Sequence, residues 1–263
     1  MTNRFAGTPS TRFTGADIQG QKESDLPMPT HWLIPYAESK ALAEQAVTAG
    51  NNDGLSTLTV APHQVYGPAD ELFLPKILQV AGKDQLHIFG KGDTTTSVTY
   101  VDNYVHGLLC GADALCSPDT TVQEKVAGGF YIVTDDHTVK LWDFLNNFIV
   151  GLGFPDLHHK VKLPAWLLYS AAYVANAIGA VTGRKLPLSP FNVKMLTMHR
   201  YFDITRAKQD LQYTPIVQHD KAVAMTLEWY KTHWLPSFLK ENPQHAAKQT
   251  TDQMSGEPVK TME

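Results

Sequence analysis

A tyrosine and a lysine four residues apart are the side chains in this sequence best suited to chemistry. Tyr36 and Lys40 lie in the segment YAESKALAEQAVTAG, which is rich in helix-forming residues. Side chains at positions i and i+4 of a helix project from the same face, one turn apart. A phenol alone is a poor acid or base near neutral pH, but a neighbouring ammonium favours its ionised form. The pair is therefore a candidate proton shuttle, although a surface helix can produce the same spacing by chance.

The elements that must position this pair alternate between helix and strand. The first helix is predicted from Tyr36 to a stop at Gly50, and a β-branched run at 55–62 predicts a buried strand. Further elements are predicted as a helix over 72–80, strands over 85–90 and 96–101, a helix over 102–115 with Asp102 as its N-cap, a strand over 128–135, and a helix over 139–153 opened by Thr138. This order predicts an α/β fold, with a mostly parallel sheet covered by helices on both faces.

The composition changes after residue 153. Residues 163–183 carry no formal charge and are flanked by lysines and by Arg184. Two interpretations stay open for this segment, an apolar wall of a substrate pocket and an interfacial helix lying on a membrane; Pro164 and several polar and small residues argue against a membrane span. We therefore expect a sheet domain over 1–153, a mainly helical substrate-binding region over 154–240, and a polar, disordered tail over 241–263.

Charge and cysteine content exclude several classes of function. The formal net charge is -4 and the basic residues form no stripe, so nucleic acid is not an expected partner. Cys110 and Cys116 have no second pair at metal-ligand spacing and are expected to be reduced thiols. The 11 histidines do not cluster, and adjacent His158 and His159 are expected at the surface, so no metal site is predicted. No signal-peptide pattern precedes Tyr36, and the mature chain is expected to begin at Met1.

Four motifs in order give the sequence a family resemblance. They are YAESK at 36–40, APHQVYGP at 61–68, YVDN at 100–103 and YFDITRAK at 201–208. Together they resemble the extended short-chain dehydrogenases. Within that superfamily, the stretch 128–153 and the apolar aromatic segment after it are most similar to the 3β-hydroxysteroid dehydrogenase group, especially its sterol-4α-carboxylate 3-dehydrogenases. The resemblance covers residues 7–235 and implies a Rossmann-like parallel sheet with a smaller C-terminal substrate region.

The resemblance implies a role for each candidate catalytic residue. Tyr36 would take the proton from the substrate hydroxyl. Lys40 would favour the tyrosinate and hydrogen-bond the nicotinamide ribose. Thr8, after the preceding strand, falls at the position of the family's catalytic hydroxyl, and Ser10 is the substitute if the register slips by two residues. Pro9 departs from the family pattern and puts the local backbone conformation in question.

Further residues would hold the cofactor and the substrate loop. Pro62, His63 and Val65 lie where the family's backbone approaches the nicotinamide carboxamide. Asp102 and Asn103 match a segment that caps a helix and holds the substrate loop. The implied cofactor is NAD or NADP, and the implied reaction is oxidation of a sterol 3β-hydroxyl, with loss of CO2 where the substrate bears a 4α-carboxylate. Family members are often attached to the endoplasmic reticulum membrane, and the same attachment is expected here.

The sequence has no counterpart of the glycine-rich turn that receives a dinucleotide pyrophosphate. The glycines before Tyr36 are at positions 7, 15 and 20, and no apolar strand leads into them. We therefore expect a truncated Rossmann-like sheet that is marginally stable or self-associates. Three interpretations follow: a fragment of an active dehydrogenase, which is favoured; a noncatalytic binding protein; or an enzyme of another class, such as a nucleotide-sugar epimerase or a dihydroflavonol-type reductase.

Overall fold

The computed structural model describes residues 2–52, 54–183 and 188–244. Its strands are β1 (Thr2–Ala6), β2 (Ile18–Gln21), β3 (Ser56–Pro62), β4 (Val65–Tyr66), β5 (Thr95–Ser97), β6 (Thr99–Tyr100), β7 (Phe130–Val133), β8 (Thr138–Lys140) and β9 (Arg200–Phe202). Its α-helices are α1 (Pro35–Ala49), α2 (Leu74–Gly82), α3 (Val101–Leu115), α4 (Thr120–Val126), α5 (Leu141–Gly151), α6 (Ala165–Thr182), α7 (Pro190–Thr197), α8 (Thr205–Asp210), α9 (His219–Trp229) and α10 (Leu235–Glu241). The predicted α/β class is confirmed.

The main sheet has the strand order β1-β3-β7, and every pairing in it is parallel. Helices cover both of its faces. Thr57 on one face donates its hydroxyl hydrogen to the Val47 carbonyl of α1 at 3.0 Å. On the other face, the α3 backbone at Gly111 lies close to the side chains of Leu58 and Val60. Because all three strands run the same way, the segments that follow them meet at one edge of the sheet.

Two smaller sheets complete the strand topology. One has the order β2-β9-β5-β8, in which β5 and β8 are antiparallel, and the other pairs β4 with β6 in parallel. The four-stranded sheet places β9, near residue 200, between β2, near residue 20, and β5, near residue 96. The C-terminal region therefore contains a strand as well as helices.

The prediction of a strand over 85–90 was wrong. Leu86 and Ile88 are buried, but the segment makes only an isolated bridge between Phe89 and Leu163. Its backbone bonds go to the loop before α6, where the Leu163 amide donates to the Ile88 carbonyl at 2.9 Å. The partner segment is too short to form a ladder of strand hydrogen bonds.

The predicted strand over 96–101 is two strands, β5 and β6, that break at Val98 and enter different sheets. Asp102 is not the N-cap of α3, because the helix begins one residue earlier and Tyr100 occupies the cap position. Thr138 does not open a helix either. It lies in β8, opposite Ser97 of β5, and the helix begins at Leu141.

Other predicted boundaries are close to the observed ones. The first predicted helix and strand correspond to α1, which ends at the Gly50 cap, and β3. The helix predicted over 72–80 is α2; the side chain of Asp70 accepts hydrogen bonds from the amides of Leu72, Phe73 and Leu74 just before and at its start. The tail predicted over 241–263 begins inside α10, and residues 245–263 lie outside the described residues.

A buried polar cluster joins α3 to the C-terminal region. Asp135 accepts hydrogen bonds from the Tyr100 amide at 2.7 Å, the Asn103 side chain at 2.7 Å and the Tyr66 hydroxyl at 3.1 Å. Burial raises the pKa of the Asp135 carboxyl. The Asn103 side-chain oxygen accepts from the backbone amides of residues 216 and 217, each at 2.9 Å. Asn103 thus holds this later segment against the start of α3.

Helix α6 is mostly exposed. Only Leu168 and Ala172 are buried within it, whereas Trp166 is 71% exposed and Val181 is 88% exposed. By length and composition, α6 is the one helix among the described residues that could cross a membrane. Its buried residues contact Val193 of α7, so α6 is attached to the body along a narrow strip.

Candidate functional site

A large apolar cavity lies at the carboxyl ends of β1 and β3. Its volume is about 1050 Å³, which is in the range of sites that enclose a whole small-molecule ligand. Most of its lining is aliphatic or aromatic. The apolar residues include Phe13, Leu33, Ile34, Phe73, Ile77, Leu86, Phe89, Phe191, Met195 and Leu196.

This lining corrects one of the two interpretations of residues 163–183. No residue of α6 lines the cavity, so this helix is not a pocket wall. The apolar surface comes instead from the segment before α1, from α2, and from α7 and the residues just before it.

Tyr36 lies at the start of α1 and opens into the cavity. Pro35 occupies the first turn of the helix, where its missing N–H costs no hydrogen bond. Tyr36 is 55% exposed, and the Lys40 ammonium lies 5.9 Å from the centroid of its ring. The predicted one-turn arrangement of phenol and ammonium is therefore present, with the phenol accessible to a ligand.

Thr8 and Ser10 both line the same cavity. Their hydroxyl oxygens are 3.0 Å apart, and the Thr8 oxygen also accepts from the Ser10 amide at 3.3 Å. Thr8 has the extended backbone conformation that a following proline favours, and Pro9 opens a short 3-10 helix. The departure at Pro9 is thus accommodated, and the two hydroxyls suggested as alternatives by sequence lie together.

Buried contacts fix these hydroxyls relative to α1. Arg12, in the same 3-10 helix, forms an ion pair with Glu44 of α1, and both side chains are almost fully buried. Thr11 donates its hydroxyl hydrogen to Glu44 at 3.3 Å, and the Trp32 indole donates to the Thr11 carbonyl at 3.1 Å. One end of the 3-10 helix is thereby anchored to the helix that carries Tyr36.

The residues predicted near the nicotinamide divide into two groups. Pro62, at the end of β3, pairs with Val133, and Val65 of β4 pairs with Thr99. Neither Pro62 nor Val65 lines the cavity. His63 and Gln64, between these strands, do line it. Gln64 has a backbone φ of 46°, in the left-handed region where residues other than glycine are uncommon and often functional.

His63 is buried and held by internal contacts. Thr99 Oγ1 accepts from the His63 amide at 3.1 Å and donates to its carbonyl at 2.7 Å. The imidazole Nε2 lies 3.3 Å from Thr96 Oγ1, and the ring contacts those of Phe13 and Phe202. Burial, with a smaller contribution from Arg200, holds the pKa of His63 well below its usual range. The histidine is therefore neutral at physiological pH.

Sequence reasoning missed one charged residue of the site, Arg200. It is 6% exposed, lines the cavity, and lies at the start of β9. Its inward position follows from the pairing of β9 with β2 and β5, which lie far earlier in the chain, so no local sequence pattern identified it. No metal-binding group of three or more His, Cys, Asp or Glu side chains occurs in the described ranges. Cys110 and Cys116 form no disulfide, and His158 and His159 are exposed.

Solved structures establish the class of fold. An epimerase from Methanothermobacter thermautotrophicus matches with a TM-score of 0.62 and 17% identity, over 91% of this chain and 61% of that one. UDP-glucuronic acid 4-epimerase from Bacillus cereus, solved with UDP-glucuronic acid and NAD, matches with a TM-score of 0.60 and 19% identity, over 88% and 62%. The fold is that of the Rossmann-like epimerases and dehydratases.

Sequence comparison then gives the family. The model of the 3-beta hydroxysteroid dehydrogenase/isomerase family matches residues 10–165, and the chain belongs to this family.

The relatives are longer than this chain. 3beta-hydroxysteroid-dehydrogenase/decarboxylase isoform 1 of Arabidopsis thaliana is 32% identical over 85% of this chain and 52% of its own length. Sterol-4-alpha-carboxylate 3-dehydrogenase, decarboxylating, of Mus musculus is 29% identical over 83% and 60%. A 2-alkyl-3-oxoalkanoate reductase of Shewanella oneidensis is 29% identical over 83% and 57%. The chain thus spans between half and three fifths of these relatives.

Proposed function

We propose that this protein is an NAD(P)-dependent oxidoreductase that oxidises the 3β-hydroxyl of a sterol. The observation that carries the proposal is the joint opening of Tyr36 and the Thr8–Ser10 hydroxyl pair into an apolar cavity of about 1050 Å³. A rigid apolar body would fill such a cavity, while the hydroxyls and the phenol would meet a single alcohol group. The names of the Arabidopsis and mouse relatives support this substrate class.

In this proposal Thr8 or Ser10 orients the substrate hydroxyl by a hydrogen bond, and the Tyr36 oxygen accepts its proton. The Lys40 ammonium stabilises the negative charge that the phenol carries before it takes that proton. The apolar lining excludes water from the carbon that is oxidised. A bound nicotinamide dinucleotide would supply the hydride acceptor. If the substrate bears a 4α-carboxylate, the product is a β-keto acid, whose C4–carboxylate bond breaks to release CO2 and leave an enolate that water protonates.

The chain fits the nicotinamide end of such a cofactor. Lys40 stands beside Tyr36, and His63 and Gln64 follow β3 at the edge where dinucleotides bind in parallel sheets. The 263 residues contain no glycine-rich turn for the pyrophosphate. We therefore expect weak cofactor binding by these residues alone, with a dissociation constant on the order of 1 mM.

The proposal extends to where the protein acts. Exposed apolar residues of α6, with Lys160 and Lys162 just before the helix, suit a peripheral position on a membrane such as the endoplasmic reticulum, on its cytoplasmic side.

Val105 and Leu109, which are 47% and 52% exposed on α3, provide apolar surface for self-association. Sedimentation velocity at increasing protein concentration tests self-association, and a protein that stays monomeric throughout would contradict it.

Ligand titration tests the substrate class. We expect the purified chain to bind 5α-cholestan-3β-ol more tightly than its 3α epimer, and to bind it more tightly still when millimolar NAD+ or NADP+ is present. UDP-glucose serves as the comparison for a nucleotide-sugar enzyme. Preference for UDP-glucose over the sterol would overturn the proposal, and sterol binding that is indifferent to cofactor and to the 3-epimer would favour a noncatalytic binding protein.

A further inference from the structure

Arg200 is a buried cation that faces a mostly apolar cavity. It starts β9, where its neighbours across the sheet are Ile18 and Thr96. Its side chain lines the cavity, and its guanidinium carbon is 5.7 Å from the centroid of the Phe13 ring. Burial lowers the pKa of Arg200 to about 10, so the group remains protonated at neutral pH.

The guanidinium is incompletely satisfied by the protein. One terminal nitrogen, Nη2, donates to the Met195 carbonyl at 2.8 Å, while the buried Nε has no hydrogen-bond partner among the described residues. None of the ion pairs found among the described residues includes Arg200. A buried charged donor without a partner costs free energy, so the fold itself does not fully stabilise the Arg200 guanidinium.

The charges around the cavity do not neutralise Arg200. Among the described residues that line it, the charged side chains are Lys76 and Arg200, and no aspartate or glutamate is present. His63, the neighbouring titratable group, is neutral. Lys76 is exposed on α2, where solvent screens it, whereas Arg200 acts in a low-dielectric environment. The cavity therefore combines an apolar wall with an uncompensated positive charge.

We propose that Arg200 binds a carboxylate carried by the ligand whose apolar body fills the cavity. The assignment rests on the proposed function in taking this cavity as the substrate site. A carboxylate presents two coplanar oxygens that match adjacent N–H groups of a guanidinium. The terminal nitrogens Nη1 and Nη2 are the donors for such a pair, because Nε itself is buried beyond the reach of a ligand, and Nη2 has a second hydrogen that the Met195 carbonyl does not use. A neutral sterol would leave the buried charge unpaired, so the site favours an amphiphilic acid.

A purely structural role for Arg200 makes a different prediction. An arginine that only packs on Phe13 and ties β9 to Met195 would be needed equally for acidic and neutral ligands. The discriminating quantity is therefore the affinity ratio between an acid and a neutral ligand of the same shape.

The test uses 3-hydroxytetradecanoate and 3-hydroxytetradecanamide as probes, titrated by calorimetry into the full chain at neutral pH. Each probe carries an alcohol for the Tyr36 end and an alkyl chain for the cavity. We expect the acid to bind at least about ten-fold more tightly than the amide. Arg200→Met should abolish this preference while keeping amide binding. Arg200→Lys should keep only part of it, because an ammonium lacks the planar fork. Lys76→Met is the matched control and should retain most of the preference.

Several outcomes would overturn the assignment: no binding of the acid, equal binding of acid and amide by the unmodified chain, a preference that survives in Arg200→Met, or an equal loss in Lys76→Met. If Arg200→Met does not fold, as judged by circular dichroism, an undiminished preference in Arg200→Lys overturns it instead. Oxidation of 5α-cholestan-3β-ol is measured in parallel. A chain that oxidises the sterol without preferring the acid loses only the Arg200 assignment, and a chain that prefers the acid without oxidising the sterol loses only the proposed reaction.

Discussion

Tyr36 can act on a ligand because its phenol is at once exposed to the cavity and close to a cation. The ring is 55% exposed, and the Lys40 ammonium lies 5.9 Å from its centroid. Its position at the beginning of α1 leaves the hydroxyl outside the packed core. The side chain can therefore be altered at its oxygen without disturbing the fold.

Removing that oxygen is the sharpest change at the residue scale. We expect Tyr36→Phe to lower sterol turnover by about 100-fold or more, since the proton acceptor is lost. The free energy of unfolding should change by less than about 0.5 kcal/mol, because the site is exposed. Tyr173→Phe on α6, where the ring is 64% exposed, is the matched control and should leave turnover unchanged. Full activity in Tyr36→Phe would remove this residue from the mechanism.

His63 should make stability depend on pH. Its pKa is held well below the usual range in the fold, first by burial and then by Arg200, whereas an unfolded histidine titrates near pH ~6.5. Below that pH the unfolded chain takes up a proton that the fold excludes, so stability falls. From about pH 6.5 to about pH 5.5 this one group should cost about 1 kcal/mol.

Urea unfolding at several pH values measures this dependence. We expect His63→Gln to make the loss of stability on acidification shallower, while His159→Gln, at an exposed position, leaves the slope as it was. Equal slopes for His63→Gln and the unmodified chain would show that the buried imidazole does not set the dependence.

At the scale of elements, the sequence predicted those helices and strands that the local pattern of residues determines. The α1 helix and the β3 strand follow from helix-forming residues ended by Gly50 and from a short β-branched run. The strand predicted over 85–90 does not form, because its pairing depends on a loop more than 70 residues away. Thr138 suits a helix N-cap as well as a strand position, and it lies in a strand because β8 pairs with β5.

The ion pair between the 3-10 helix and α1 gives a stability prediction. Glu44→Ala should destabilise the chain by about 3 kcal/mol, because it leaves the Arg12 guanidinium buried without a counterion. Replacing both residues with methionine should recover most of that loss. Chemical denaturation measures both variants.

The comparison for this pair is Lys125, whose side chain is 60% exposed in its ion pair with Asp210. Lys125→Ala should cost less than about 1 kcal/mol. A Glu44→Ala cost as small as that of Lys125→Ala would mean that the buried pair does not anchor the 3-10 helix.

Helix α6 gives a prediction about membranes. Val174 and Ile178 lie one turn apart and are 60% and 50% exposed. Replacing both with glutamine should weaken cosedimentation with phosphatidylcholine–phosphatidylserine vesicles by about ten-fold or more, because the apolar area available for insertion is lost. Ile216→Gln, at a position 60% exposed outside this helix, should bind vesicles as the unmodified chain does. Unchanged sedimentation of the α6 variant would contradict an interfacial position.

At the scale of the whole molecule, the site is assembled from distant segments. Its lining extends from Thr8 to Arg200 and is brought together at the carboxyl ends of β1 and β3 and beside β9. The motif residues Tyr36, Lys40 and Thr8 could be predicted from the sequence because the family pattern fixes their spacing. Arg200 could not, since its role depends on β9 pairing with strands more than 100 residues earlier.

Formation of the ketone is the most direct test of the proposed reaction. The purified chain is incubated with 5α-cholestan-3β-ol and millimolar NAD+ or NADP+, and 5α-cholestan-3-one is quantified by mass spectrometry alongside the reduced cofactor. We expect ketone and reduced cofactor in equal amounts, with little product from the 3α epimer. Absence of ketone above the level of a protein-free control, or equal oxidation of the two epimers, would contradict it.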